Sequence, residues 1–130
     1  MTTVLLDTHV IFWLSSDPTK LSDKAVKEIK SADEIVVSSI TWFELAWLVK
    51  NDRIRISIPM NTWLTQLSHG LGTIEVSPEI ASCAVNLSPR FPSDPADRII
   101  FATAIETGYP LITKDKEIRQ FKHPSNLAIW

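Results

Sequence analysis

The residues most suited to chemistry are four acids that lie far apart in the chain, Asp7, Glu44, Asp97 and Asp115. Carboxylates gathered in one place repel one another, and without a counter-charge some of them take up a proton. A divalent cation removes this repulsion, lowers the pKa of a bound water and stabilises the charge that develops when a phosphodiester is displaced. If the fold brings these acids together, they predict a metal-dependent site for phosphate chemistry.

The other potential metal ligands narrow the choice of ion. Cys83 is the single cysteine, so a thiolate cluster and an internal disulfide are both excluded. His9, His69 and His123 are scattered without the spacing of a histidine metal site. Any metal is therefore expected to be held by oxygen, which favours Mg²⁺, Mn²⁺ or Ca²⁺.

Short apolar segments that alternate with helical ones predict the elements that position the acids. Strands are expected at residues 4–6, 35–37, 73–76, 110–113 and 127–130. Helices, with their N-caps included where one is predicted, are expected at 9–15, 22–32, 41–51, 61–68, 77–87, 94–107 and 116–121. This alternation is typical of a three-layer α/β/α fold, with a central and mostly parallel five-stranded sheet.

In such a sheet the four acids are expected to converge. Asp7 follows the first predicted strand and Asp115 follows the fourth, and ligands bind beyond these carboxyl ends, where the strand order reverses. Glu44 and Asp97 fall in predicted first turns of helices that start at the same edge. Glu44 also has a structural explanation, because it completes a possible S/T-x-x-E capping box. Asp94, directly before a proline, is predicted to be an N-cap.

Four segments form a pattern that extends over nearly the whole chain. They are Val4-Leu5-Leu6-Asp7-Thr8-His9, Ser39-Ile40-Thr41-Trp42-Phe43-Glu44, Asp94-Pro95-Ala96-Asp97-Arg98-Ile99-Ile100-Phe101-Ala102-Thr103-Ala104 and Leu111-Ile112-Thr113-Lys114-Asp115. In this order they resemble the PIN-domain ribonucleases, and most closely the VapC-type toxins of bacterial toxin–antitoxin pairs. The third segment is the most specific of the four. The resemblance implies a PIN-like fold and a Mg²⁺- or Mn²⁺-dependent endoribonuclease that cuts structured RNA such as tRNA or rRNA. It also implies a homodimer that a cognate antitoxin neutralises.

The resemblance also assigns residues by position. The acidic ligands of the family match Asp7, Glu44, Asp97 and Asp115. We expect Asp7 and Asp97 to be the direct metal ligands, with Glu44 and Asp115 acting through water or orienting the nucleophile. Thr8 and Thr113 match the small hydroxyl residues beside the first and last acids and are expected to contact substrate. Arg98 and Lys114 flank the acids in sequence and are expected to contact RNA phosphates, the alternative being that they belong to a solvated charged face.

Composition limits the remaining possibilities. The chain has 130 residues and a formal net charge of −2, so bulk electrostatics alone do not predict nucleic-acid binding. Its length predicts a single domain over 1–130. It lacks an apolar run of about 20 residues and a secretion signal, which predicts a soluble cytoplasmic protein. The segment 40–49 is apolar nearly all round and, together with Trp13, is predicted to face another chain.

Three other functions use comparable residues. A phospho-acceptor signalling domain needs an acidic pair after the first strand, and Asp7 has no acidic neighbour. A haloacid-dehalogenase-like phosphatase needs a second acid where this chain has His9. The third alternative is a catalytically inactive PIN-like domain that only binds a partner. Metal-dependent, EDTA-sensitive cleavage of RNA would separate the nuclease from all three.

Overall fold

Short strands and helices alternate along the chain, as the sequence predicted. The computed structural model describes residues 1–123 and 126–130. Its strands are β1 Thr3–Leu6, β2 Glu34–Ser38, β3 Gly72–Ile74, β4 Leu111–Ile112 and β5 Ala128–Ile129. Its α-helices are α1 Thr8–Ser16, α2 Asp23–Ser31, α3 Ser39–Lys50, α4 Met60–Ser68, α5 Pro78–Val85, α6 Pro95–Thr107 and α7 Lys116–Gln120, and a 3₁₀ turn, Pro18–Lys20, joins α1 to α2.

The five strands form one sheet in the order β3-β2-β1-β4-β5. Each of the four pairings is parallel. In the central strand, Leu5 lies opposite Val36 of β2 and Leu111 of β4. The chain leaves β1 toward β2 and β3 and later returns to β4 on the other side. The strand order therefore reverses at the gap between β1 and β4, which is where open α/β sheets bind ligands.

Alternate residues of the strands pack on opposite faces of the sheet, which gives the three layers. Val4, Leu6, Val37 and Ile112 are buried in one cluster with residues of α1, α2 and α3. Leu5, Val36 and Leu111 are buried in a second cluster with Ile100, Phe101 and Ala104 of α6 and with Ile118 of α7. The predicted α/β/α architecture is confirmed.

Both ends of α6 are set by local chemistry. The carboxylate of Asp94 accepts a hydrogen bond from the backbone N–H of Asp97 at 3.0 Å, and Pro95 occupies the first helical position. Gly108 ends the helix with φ of 76°, a conformation that glycine adopts without steric cost, and its N–H donates to Ala104 O at 2.8 Å. The predicted cap at Asp94 is confirmed.

Two other predicted helix starts are wrong. α4 begins at Met60 after Pro59, and no side chain caps it, so Asn61 is inside the helix. α3 begins at Ser39, and its N-cap is Ser38, whose hydroxyl accepts from the N–H of Ile40 at 3.3 Å. In the described part of the chain, no helix combines the length and the apolar character needed to cross a membrane.

Candidate metal centre and active site

Two of the four acids follow the neighbouring strands β1 and β4. Asp7 comes directly after β1 and is the N-cap of α1, since its Oδ1 accepts from the N–H of Thr8 at 2.8 Å. Asp115 follows β4 by three residues and caps α7, where its Oδ1 accepts from the N–H groups of Glu117 and Ile118. Both acids therefore stand at the point where the strand order reverses.

The other two acids come from helices that start at the same edge of the sheet. Asp97 lies in the first turn of α6, as predicted. Glu44 is the sixth residue of α3, so its predicted place in a first turn and in a capping box with Thr41 is wrong. It still reaches the crevice, because helical side chains lean toward the helix N-terminus. There its Oε1 accepts a short hydrogen bond from the hydroxyl of Thr8.

The two threonines predicted to contact substrate hold the acids instead. Thr8 is 2% exposed and Thr113 is fully buried. The Thr113 hydroxyl donates to Asp7 Oδ2 at 2.7 Å and accepts from the N–H of Asp115 at 3.1 Å. Buried hydroxyls that already bond carboxylates are not available to an RNA strand. Their position supports an orienting role, and we do not retain them as substrate contacts.

Arg98 also has a different position from the predicted one. Its guanidinium donates five hydrogen bonds, at 3.0–3.3 Å, to backbone carbonyls of the segment between α5 and α6 and of the end of α5. Its side chain therefore points into that loop and is not among the residues that line the acidic pocket. Since the guanidinium is occupied by carbonyls, Arg98 is not retained as a phosphate contact.

The acids interact electrostatically as one group. Burial raises the pKa of Asp97 to about 7, and repulsion from Asp7, Asp94, Glu44 and Asp115 adds to this effect. Burial also raises the pKa of Asp7, although its bonds from Thr113 and Thr8 oppose the shift. The pKa of Glu44 is raised by burial and, to a smaller extent, by Asp7 and Asp94. A group of carboxylates with raised pKa values needs either protons or a cation near neutral pH.

Sequence reasoning missed one member of this group. Asp94 was assigned only a capping role, but oxygen atoms of Glu44, Asp94 and Asp97 all lie within 4.8 Å of one another. The available signal was its spacing, because residues three apart at a helix start lie on the same side. Glu44, Asp94 and Asp97 could therefore bind a cation together. This set of ligands differs from the predicted pair, Asp7 and Asp97. All of these donors are carboxylate oxygens, so either set suits Mg²⁺ or Mn²⁺.

The acids line an open pocket with a volume of about 460 Å³. Its wall consists of the four predicted acids together with Thr8, His9, Trp13, Asp94 and Lys114. The ammonium of Lys114, the fourth predicted substrate contact, lies over the ring of Trp13, 5.4 Å from its centroid. The pocket thus combines an anionic floor with a cation at its rim, an arrangement suited to a bound metal ion and a phosphate.

Comparison with known proteins identifies the class to which this fold and site belong. The family model of the PIN domain matches residues 4–124, and the chain belongs to the PIN domain family. It is 49% identical over 130 residues to Ribonuclease VapC22 of Mycobacterium tuberculosis, and the match covers 100% of both chains.

Solved structures of low sequence identity share the fold. A toxin–antitoxin complex from Klebsiella pneumoniae matches with a TM-score of 0.68 and 24% identity, covering 98% of this chain and 96% of that one. VapBC2 from Rickettsia felis, bound to a DNA fragment from its promoter, matches with a TM-score of 0.73 and 16% identity over 98% of both chains. At these identities the likeness concerns the fold alone.

Proposed function

We propose that this chain is a Mg²⁺- or Mn²⁺-dependent endoribonuclease, and that residues 1–130 form a single PIN domain. The observation that carries the proposal is the convergence of Asp7, Glu44, Asp97 and Asp115 in one pocket, where the pKa of Asp97 is raised to about 7. The 49% identity to a relative named as a ribonuclease supports RNA as the substrate.

Asp7 and Asp97 are the proposed direct ligands of the ion. Both oxygens of Asp7 already accept hydrogen bonds, but each carboxylate oxygen has a second lone pair for a cation. When bound, the ion supplies an activated water and stabilises charge on the phosphate. Asp115 has one oxygen bonded to the start of α7, which leaves the other to orient the attacking water, alone or with Glu44.

The threonines keep these carboxylates in position. Thr113 ties Asp7 to the turn that carries Asp115, and Thr8 ties α1 to Glu44 on α3. Groups that are held in place before the substrate arrives need little reorganisation during the reaction. Lys114 is the proposed contact for an RNA phosphate, because its ammonium is at the pocket rim and its side chain is exposed.

The same comparisons support a proposal that a partner protein regulates this chain. The structural neighbours include toxin–antitoxin complexes, so we propose that this chain is the toxin of such a pair. On its resemblance to VapC-type toxins we further propose that it acts in the cytoplasm and forms a homodimer. An exposed aromatic pair on α3 supports a protein partner, since Phe43 is 64% and Trp47 is 58% exposed. Their rings are nearly parallel, with an angle of 17° between the planes and centroids 6.4 Å apart. Trp13, predicted to join this surface, lines the acidic pocket instead.

The test is cleavage of RNA by the purified protein, with Mg²⁺, Mn²⁺ or EDTA present, followed by mapping of the new RNA ends. We expect cleavage with either ion, none in EDTA, and none by Asp7→Asn. Asp23→Asn is the matched control, because Asp23 is an exposed acid on α2 outside the pocket. Wild-type protein that leaves tRNA and rRNA intact at every metal concentration would contradict the proposal. Cleavage by Asp7→Asn at the wild-type rate would contradict the assigned site.

The partner proposals have a separate test. Co-expression with the product of an adjacent reading frame should yield a complex in which RNA cleavage is inhibited, and light scattering of the isolated toxin should give the mass of two chains. A strictly monomeric protein that co-purifies with no such product would contradict them.

A further inference from the structure

One wall of the acidic pocket is the indole ring of Trp13, and binding of a cation does not require an indole there. Trp13 belongs to α1 and lines the pocket together with Asp7 and Asp97. It is partly buried and packs against the core cluster that includes Val10 and Ile11 of α1. Because Trp13 lines the same pocket as the acids, it is close to the position that a phosphate would occupy when bound there.

Two neighbouring aromatic rings contact Trp13 at tilted angles and are not stacked on it. His9 lies one helical turn earlier, with ring centroids 5.8 Å apart and planes tilted by 46°. The ring of Trp130 is 6.2 Å away and tilted by 60°. The group that lies over the indole is the ammonium of Lys114, at 5.4 Å from its centroid. Such a cation–π contact is weak at an exposed site and is readily exchanged for another partner.

We propose, building on the ribonuclease function above, that Trp13 stacks an unpaired RNA base next to the scissile phosphate while Lys114 binds a phosphate of the same strand. Stacking on an aromatic ring suits any base, since every base has a π-face. A base inside a duplex is already stacked on both sides and offers no free face. An RNA strand that is unpaired at the cleavage site leaves one base face open for Trp13 to stack on.

The size of the pocket agrees with this substrate. A volume of about 460 Å³ falls in the range of sites that enclose one small ligand, roughly 300–1,000 Å³. One extruded nucleotide is of this size. The net charge of −2 also leaves a small role for bulk attraction, so local contacts such as stacking must supply more of the binding.

The proposal can be tested with two substitutions at Trp13 and one matched control. Trp13→Leu keeps an apolar side chain but removes the π-face, and Trp13→Phe keeps a smaller face. Trp63→Leu is the control, because Trp63 is also partly buried and contacts Phe12 of α1, but does not line the acidic pocket. The substrates are a labelled oligonucleotide spanning the mapped cleavage site and versions with one abasic nucleotide on either side of the cut.

For intact RNA we expect Trp13→Leu to raise KM about tenfold, with kcat within about twofold of wild type, as loss of one base–aromatic stack implies. Trp13→Phe should retain most of the affinity, and Trp63→Leu should match wild type. An abasic nucleotide at the stacked position should raise the KM of wild type about tenfold and that of Trp13→Leu no further.

Several results would overturn the proposal. One is an unchanged KM for Trp13→Leu, and another is a loss in kcat alone, which would mean that the ring only shapes the environment of the acids. Equal KM values of the wild type for intact and abasic RNA would overturn it even if both Trp13 variants failed to fold. Failure of the ribonuclease function itself is distinguishable, because the wild type would then show no metal-dependent cleavage of any RNA.

A separate measurement tests the proposed contact between Lys114 and an RNA phosphate. Lys114→Met should reduce the slope of log KM against log salt concentration by about 0.7, the effect of losing one phosphate contact on single-stranded RNA. An unchanged slope would remove Lys114 from the proposal.

Discussion

The candidate site should bind a divalent cation less tightly as the pH falls from 8 to 6, because protons compete for the same carboxylates. Burial and repulsion raise the pKa of Asp97 from 3.8 to about 7 in the ion-free protein. At pH 8 about nine tenths of this group is ionised, and at pH 6 only about one tenth. Since the cation binds the ionised form, protonation of Asp97 alone should weaken the apparent affinity for the cation about tenfold between pH 8 and pH 6.

The true dependence on pH should be at least this steep. The pKa values of Asp7 and Glu44 are raised as well, mainly by burial, so each adds to the proton competition in the same direction. At pH 7, close to the pKa of Asp97, binding should release about half a proton from this residue.

Isothermal titration of Mn²⁺ at pH 6, 7 and 8 measures both quantities, if each titration is repeated in buffers with different ionisation enthalpies. The Asp97→Asn variant should bind Mn²⁺ more weakly, and its affinity should depend less on pH than that of the wild type. The Asp23→Asn variant should match the wild type. An affinity that is constant between pH 6 and 8, with no proton released, would refute the claim that these carboxylates share protons and a cation.

Three further results are expected. Thr113→Val removes the 2.7 Å bond to Asp7 and should lower kcat/KM by roughly 10- to 100-fold, measured on RNA, as loss of a bond to a charged group implies. Arg98→Met removes five bonds to backbone carbonyls and should lower the free energy of unfolding in urea by about 3 kcal/mol or more. Because its pKa is raised, Asp97 keeps its proton in the folded state at pH values where it has already lost it in the unfolded chain. The stabilisation of the folded state by this proton is complete below about pH 4 and disappears as the pH rises through about 7. The melting temperature without metal should therefore fall as the pH is raised from 6 to 8, relative to Asp97→Asn, and Mn²⁺ should reverse the fall. A Thr113→Val enzyme with wild-type kcat/KM, an Arg98→Met protein of wild-type stability, or equal pH dependences for wild type and Asp97→Asn would contradict these expectations.

The fold was predictable because its signals are local and agree with one another. A short apolar run that ends in an acid marks β1 and Asp7, and Asp94 before Pro95 marks the start of α6. Parallel pairing then follows from the alternation of strands and helices. The convergence of distant acids was predictable for the same reason, since it depends on which edge of the sheet each element starts from.

The local context of Glu44 was not predictable from its motif. Ser38 and Thr41 are both suitable caps, and the sequence favoured Thr41 because Glu44 completes a capping box with it. Pairing of β2 with β3 extends the strand to Ser38, which lies opposite Ile74, so the helix starts directly after it and Thr41 is buried in the first turn. A tertiary interaction thus decided between two local signals of similar strength.

Tertiary structure also determines what the side chains next to the acids contact, and it does so even more strongly. Arg98 follows Asp97 in sequence, yet successive residues on a helix point in different directions, about 100° apart. Its guanidinium therefore meets the carbonyls of the preceding loop and not the pocket. The burial of Thr8 and Thr113 likewise follows from the packing of α1 and β4, which the sequence alone does not specify.

The central claim is that carboxylates from four separate elements form one site for a divalent cation, and diffraction from crystals soaked in Mn²⁺ and measured at the manganese absorption edge tests it most directly. We predict an anomalous peak in the acidic pocket, at about 2.0–2.4 Å from carboxylate oxygens of Asp7 and Asp97. A peak that touches Asp94 and Glu44 but not Asp7 would contradict the assigned ligands. The absence of any peak in the pocket at saturating Mn²⁺ and pH 8 would contradict the metal-dependent site itself.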